Sequence, residues 1–172
     1  MYDAKAREWY EKTAARGDAR AKMALEKLPI REAERAGRYD EALRLEETLA
    51  AKVEAEETKR DGKPETAGEL LVVTWDAVFA KDYTKAPAVA DHAYALFPDN
   101  LGIETNRAHA LMFMGHDEEA KAFYLVHKGE PVPDQNNELW EQVIAYDFEK
   151  LRKAGLTNPM MADIDKELGI SR

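Results

Sequence analysis

Cysteine is missing from this 172-residue chain. That absence removes disulfides, thiolate nucleophiles and cysteine-ligated zinc sites together. No apolar run comes near the roughly 20 residues that a bilayer-spanning helix needs, and no signal-peptide core opens the sequence. Basic residues are the minority, 25 against 34 acidic ones, for a net charge of -9. This balance argues against a nucleic-acid partner, because such binding depends on neutralising phosphates with Lys and Arg. Strand-like alternation is nearly absent. Hydrophobic residues at 45% and charged ones at 34% exclude a disordered chain. The expectation is a soluble, cytoplasmic, all-α domain without a membrane or nucleic-acid partner.

What the chain has in quantity is helix formers: Ala, Glu, Lys, Leu and Arg recur throughout. Turn signals interrupt them at Gly17-Asp18, Gly37, Asp61-Gly62-Lys63-Pro64, Asp82, Pro98-Asp99-Asn100, Gly115, Gly129 to Pro133, and Gly155 with Asn158-Pro159. The stretches between them predict helices over 2–16, 18–36, 39–60, 67–80, 84–96, 101–114, 117–128, 136–154 and 159–168. Gly17, Gly37, Gly115 and Gly155 each follow a helical pattern, where glycine closes a helix in the left-handed conformation without steric cost. Pro29 should kink or split the second helix, because it removes a backbone hydrogen bond and clashes with the preceding turn. The connections are short, so neighbouring helices must pack antiparallel.

Catalytic and metal-binding patterns are not found. His92, His109, His116 and His127 lie on different helices and turns, without metal-ligand spacing. Glu56-Glu57 and Glu118-Glu119 are sequence neighbours, so on a helix they point about 100° apart and cannot act as an acid/base couple. Glycine-rich phosphate loops, nucleophile elbows and Ser/His/Asp orders are missing too. No catalytic residue, metal site or cofactor is expected. Trp9, Tyr10, Tyr124, Trp140 and Phe148 fall where helix packing needs large side chains. In the last long helix, Leu139, Trp140, Val143, Ile144, Phe148 and Leu151 recur at helical spacing, as a covering helix requires.

A repeat lies beneath the helices. Ala86 and Ala120 are 34 residues apart, as are Asp82 and His116 at the preceding turns. Upstream, Gly37-Arg38-Tyr39-Asp40-Glu41-Ala42-Leu43 parallels Gly115-His116-Asp117-Glu118-Glu119-Ala120-Lys121. In this pattern of glycine, aromatic, small alanine, second alanine and closing proline, the chain resembles the tetratricopeptide repeat family. Tyr83, Ala86, Ala93 and Pro98 fit it in the middle copy, Gly37, Tyr39 and Ala42 in the first, and Gly115, Ala120 and Tyr124 in the third. Asp117 in place of the aromatic and Pro87 early in a second helix depart from it. Trp9-Tyr10-Glu11-Lys12-Thr13-Ala14-Ala15-Arg16-Gly17-Asp18-Ala19-Arg20-Ala21 resembles the junction of two Sel-one-like repeats. The resemblance implies one right-handed α-solenoid of antiparallel hairpins over residues 1–172. It divides into a partial Sel-one-like hairpin at 1–36, tetratricopeptide-like repeats at 23–60, 67–100 and 101–134, and capping helices at 135–172. Because the first repeat is partial, the chain is expected to be a C-terminal piece of a longer bacterial protein.

What the resemblance implies for function is partner binding in a concave groove. The first-helix positions that would line it are Lys27, Arg31 and Arg35, then Trp75 and Phe79, then Thr105, Asn106, His109, Met112 and Phe113. Lys27, Arg31 and Arg35 make a basic stripe at i, i+4 and i+8. Such a groove suits an acidic peptide with apolar anchors. Alternatively, the stripe only solvates its helix and balances Glu26, Glu32 and Glu34. Trp75 stands where the clamp for the carboxylate of heat-shock chaperones would need Asn, which disfavours that partner. The expected role is an adaptor or scaffold. The alternatives are a self-associating module built on Trp9 and Tyr10, a substrate-selecting segment of a parent enzyme such as a caspase-like peptidase, or a small-ligand site at Trp75, His109 and Phe113.

Overall fold

The structure, a computed structural model, describes residues 2–58, 64–98 and 100–170. Among these residues the chain forms nine α-helices: α1 (Tyr2–Ala14), α2 (Ala19–Arg35), α3 (Tyr39–Thr58), α4 (Pro64–Phe79), α5 (Lys85–Leu96), α6 (Leu101–Met114), α7 (Asp117–Val126), α8 (Trp140–Lys153) and α9 (Met160–Leu168). A two-residue ladder, β1 (Pro131–Val132) antiparallel to β2 (Glu138–Leu139), lies between α7 and α8. No described helix is long and apolar enough to cross a membrane.

The helix ends follow the local chemistry. Gly37 and Gly115 take φ of 70° and 78°, and the next residues donate back into the last turn. These closing bonds are Arg38 N–H to the Ala33 carbonyl and His116 N–H to the Leu111 carbonyl, both at 2.9 Å. α4 closes in the same way without a glycine: Lys81 holds φ of 63°, while Asp82 N–H donates to the Ala77 carbonyl at 2.8 Å. α4 also starts earlier than its periodicity suggests, at Pro64, since proline suits a first helical turn. The carboxylate of Glu57, one helix back, accepts from Thr66 N–H at 2.7 Å and from its hydroxyl at 2.5 Å, supplying the cap. Of the expected break before α4, residues Arg60–Lys63 lie outside the described residues, as does Asp99.

Two expectations are corrected. Pro29 does not split α2, which runs through it with Pro29 on the exposed side. The helix expected from 136 begins at Trp140 instead, because Asn136 and Asn137 take φ of 57° and 59°, values no helix accommodates.

Each helix from α1 to α6 packs on the next, and α4 on α6 and α7 on α9 pair alternate helices. Small residues set the spacing. Ala42, Ala86 and Ala120, the alanines of the repeat, are completely buried. At Gly102 a Cβ would stand 3.3 Å from a Leu71 methyl, so glycine lets α6 approach α4 closely. α8 uses the opposite device. Its Trp140 and Phe148 are wholly buried, and the Trp140 indole N–H donates to the Tyr124 carbonyl at 2.7 Å. Tyr124, Trp140 and Phe148 therefore lie in the core as expected, whereas Trp9 does not. Trp9 is 60% exposed, packed edge-on against Tyr10 at 5.3 Å. Leu139, held in β2, is also exposed.

Replacing Trp140 with Ala removes the large side chain that seats α8 and should cost about 3–5 kcal/mol in chemical denaturation. Lys81→Gly should instead stabilise by about 1 kcal/mol, as glycine relieves the left-handed strain at the end of α4. An unchanged melting temperature would mean that this turn carries no strain.

Candidate functional site

The last turn of α2, the start of α3, the C-terminal half of α4 and the end of α8 meet around a cleft of about 340 Å³. Its lining includes Glu34, Tyr39, Trp75, Asp76, Phe79 and Lys150, with Lys153 beside the last. Aromatic rings form one continuous surface: Trp75 lies 4.8 Å from Phe79, and Phe79 lies 4.8 Å from Tyr39. The Lys150 ammonium stands 5.5 Å from the Trp75 ring and 4.4 Å from the Tyr146 ring. Trp75 and Lys150 thus face each other as a cation and an aromatic ring.

The acidic part of the cleft is unusual. Asp76 is almost fully buried, and its Oδ2 has no hydrogen-bond partner. Burial, then the charge of Glu34 and a hydrogen bond with it, push the Asp76 carboxyl up to about 7. Burial, followed by the charges of Glu34 and Asp76, also raises the Tyr39 phenol. Asp76 thus keeps a proton that a solvated aspartate would release.

This pair has a counterpart deeper in the helices. Glu46 on α3 and Glu69 on α4 are buried together, and the Lys27 ammonium of α2 stands 2.7 Å from Glu69 Oε2. Burial and the neighbouring Glu69 push the Glu46 carboxyl up to about 9. Lys27 and Glu34, Tyr39 and Glu46, and Glu69 and Asp76 are each seven residues apart, which is close to two helical turns. The same three helices thus carry two polar layers, Lys27–Glu46–Glu69 and Glu34–Tyr39–Asp76.

Of the residues the sequence picks out, Trp75 and Phe79 line the cleft. Lys27 is committed to Glu69, which breaks the basic stripe, while Arg31 and Arg35 are exposed on α2 outside the lining. Asn106 is buried, its amide donating to the Leu71 carbonyl at 3.0 Å. Phe113 stacks on Tyr83 at 5.0 Å, away from the cleft. His109 is wholly enclosed behind Trp75, with Nδ1 2.8 Å from the Tyr124 hydroxyl and Nε2 3.3 Å from Asp147 Oδ2. Asp147 can only accept, so it takes the Nε2 proton and leaves Nδ1 to accept from the hydroxyl. This chain ties α6, α7 and α8 together where no ligand reaches. Thr105 and Met112 are buried as well.

The sequence reading missed Glu34, Asp76, Lys150 and Lys153 as cleft residues. A usable signal was present: polar residues seven apart on helix faces that are otherwise apolar. Among the described residues no group of three or more His, Asp or Glu could hold a metal ion. Comparison with protein-family models, curated proteins and solved structures gives no match to this chain.

The raised carboxyls fix the sign of a pH dependence. Below about pH 4, folded and unfolded chains both hold the Asp76 proton; between there and about 7 only the folded chain does, so rising pH favours unfolding. Glu46 extends the same trend to about pH 9. His127 adds to it with the same sign. Burial disfavours its charge, but Glu130 at 2.8 Å and Glu104 at 2.9 Å outweigh that and raise its pKa. Calorimetry should show the melting temperature falling from pH 5 to pH 9. Asp76→Asn with Glu46→Gln should flatten most of that fall and stabilise the chain at pH 9; a profile parallel to the parent's would contradict the assignment.

Proposed function

We propose that this chain is a protein-interaction module, an adaptor or scaffold segment that holds a peptide of its partner in the cleft between α2, α3, α4 and α8. The observation that carries this reading is the cleft itself. It gathers aromatic rings and charges of both signs from four helices into one open recess, the combination that peptide recognition uses. Apolar anchors of the partner rest on Trp75 and Phe79, and acidic residues meet Lys150 at the rim, with Arg31 farther along α2.

The architecture we propose to underlie it is a solenoid of tetratricopeptide-like hairpins closed by α8 and α9. The fully buried Ala42, Ala86 and Ala120 support it, as do the alternate-helix contacts of α4 with α6 and α7 with α9. The reading is of binding rather than catalysis, because Tyr124, His109 and Asp147, the nearest thing to a proton relay, are enclosed by the core. In a larger parent protein the same cleft could receive another domain of that chain.

One observation favours a second reading. Trp9 stands exposed beside Tyr10 on α1, and such an uncovered aromatic end of a helical stack is a ready surface for a second copy. Capture from the native lysate with parent, Trp75→Ala and Trp9→Ala baits separates the two. The account expects Trp75→Ala to lose a partner that Trp9→Ala retains, with the melting temperature of each bait as the control for folding. Recovery of the chain itself, lost only with Trp9→Ala, would establish self-association instead.

A further inference from the structure

The two polar layers across α2, α3 and α4 differ in one respect. In the closed layer, Lys27 supplies a cation to the Glu46–Glu69 pair. Seven residues along α2, the position corresponding to Lys27 is Glu34, so the second layer consists of two carboxyls and a phenol. Buried carboxyl oxygens without a hydrogen-bond donor occur in both layers, Glu46 Oε1 in the closed one and Asp76 Oδ2 in the open one, but only Asp76 lines the cleft. An unsatisfied carboxyl oxygen beside aromatic rings is the environment that an ammonium or guanidinium completes.

Resting on the peptide-binding reading, we propose that the cleft takes a lysine or arginine side chain of the partner peptide, whose cation completes Glu34 and Asp76 as Lys27 completes Glu46 and Glu69. The ligand's charged end reaches Asp76 Oδ2, and its aliphatic stem lies on Trp75 and Phe79. The opposite wall sets a second requirement. Lys150 and Lys153 of α8 would repel an isolated cation, so the basic residue must be followed by an acidic one that meets Lys150. Lys153 is already paired with Glu149. The ligand is therefore dipolar, basic at the floor and acidic at the rim. At about 340 Å³ the cleft is at the small end of ligand sites, with room for one long side chain and its neighbours.

Binding changes the protonation of the site. Facing Asp76 are Glu34 from α2, Tyr39 and, more distantly, Glu46 from α3, and the two lysines from α8. Glu46 keeps its proton beside Lys27 because it is fully buried, whereas Asp76 faces a half-buried Glu34 at an open cleft. With the ligand's cation in place, Asp76 therefore ionises and its proton leaves for solvent. Because that proton is held up to about 7 in the free protein, affinity should rise about tenfold from pH 6 to pH 8.

The test is an amide NMR titration of the full chain with Ac-Leu-Lys-Glu-Leu-NH2, with the same peptide carrying norleucine for lysine, and with Ac-Leu-Glu-Glu-Leu-NH2. The expected result is a shift of the Trp75, Asp76 and Lys150 amides. At pH 8 the lysine peptide should bind at least tenfold tighter than the other two, and the pH dependence should disappear in Asp76→Asn. Glu46→Gln, in the closed layer, should keep the lysine preference. Equal binding of the norleucine peptide, or tighter binding of the diglutamate peptide, would overturn the basic anchor while leaving peptide binding standing. If no peptide moves the cleft amides, the binding reading falls with it.

Discussion

The 2.7 Å hydrogen bond from the Trp140 indole to the Tyr124 carbonyl fixes where α8 lies, and α8 decides what the rest of the molecule can present. Trp140 and Phe148 are too large to let α8 approach as closely as α6 approaches α4, so the helix is held off by its side chains and meets α6 through His109 and Asp147. That placement seals off His109 on α6. It also brings Lys150 and Lys153 opposite Trp75, making the face of α4 that carries Trp75 and Asp76 one wall of a cleft. One packing event therefore closes one prospective site and builds another.

The two polar layers show how charge is managed between closely packed helices. Removing carboxylates from water is costly unless they are paired or protonated. In the closed layer both remedies are used: Lys27 meets Glu69, and Glu46 keeps its proton to about pH 9. In the open layer the remedy is the proton that Asp76 keeps to about pH 7, and Asp76 Oδ2, like Glu46 Oε1 in the closed layer, has no donor. Fold stability would gain if that carboxyl were apolar, and its place beside an aromatic cleft is what the proposed basic anchor rests on. In that proposal the tilted rings of Trp75, Phe79 and Tyr39 give the ligand a surface, and Asp76 gives it a position.

Much of the architecture was legible in the sequence because its signals are local. Glycines such as Gly37 and Gly115 mark helix ends through a conformation that other residues resist, and alanines at a 34-residue offset mark close helix contacts. Where the structure departs, a local rule was missed or a distant one prevailed. Two asparagines in the left-handed region delay α8 to Trp140, and Lys81 does a glycine's work after α4. The site was legible only in part. Trp75 and Phe79 could be placed on one helix face from spacing alone, but the burial of His109 depends on where α8 settles, and Asn106 is tied to α4 through Leu71. Trp9 appeared to be a packing residue because its type is usually buried, yet burial requires a neighbour that periodicity does not identify. Glu34 and Asp76 gave the weakest signal, because an acidic residue on a helix ordinarily faces water, and only its recurrence after seven residues marks it as part of a layer.

The central claim is that Asp76, beside Glu34 at the floor of the cleft, is a dehydrated carboxyl that keeps its proton to about pH 7. Carbon-detected NMR titration of the side-chain carboxyls in the unliganded chain tests it most directly. The account predicts an Asp76 carboxyl that titrates near pH 7 and returns toward the ordinary aspartate range when lysine peptide is added. A carboxyl titrating near its ordinary value of 3.8, unmoved by the peptide, would mean that water reaches Asp76 and that the layer does not exist.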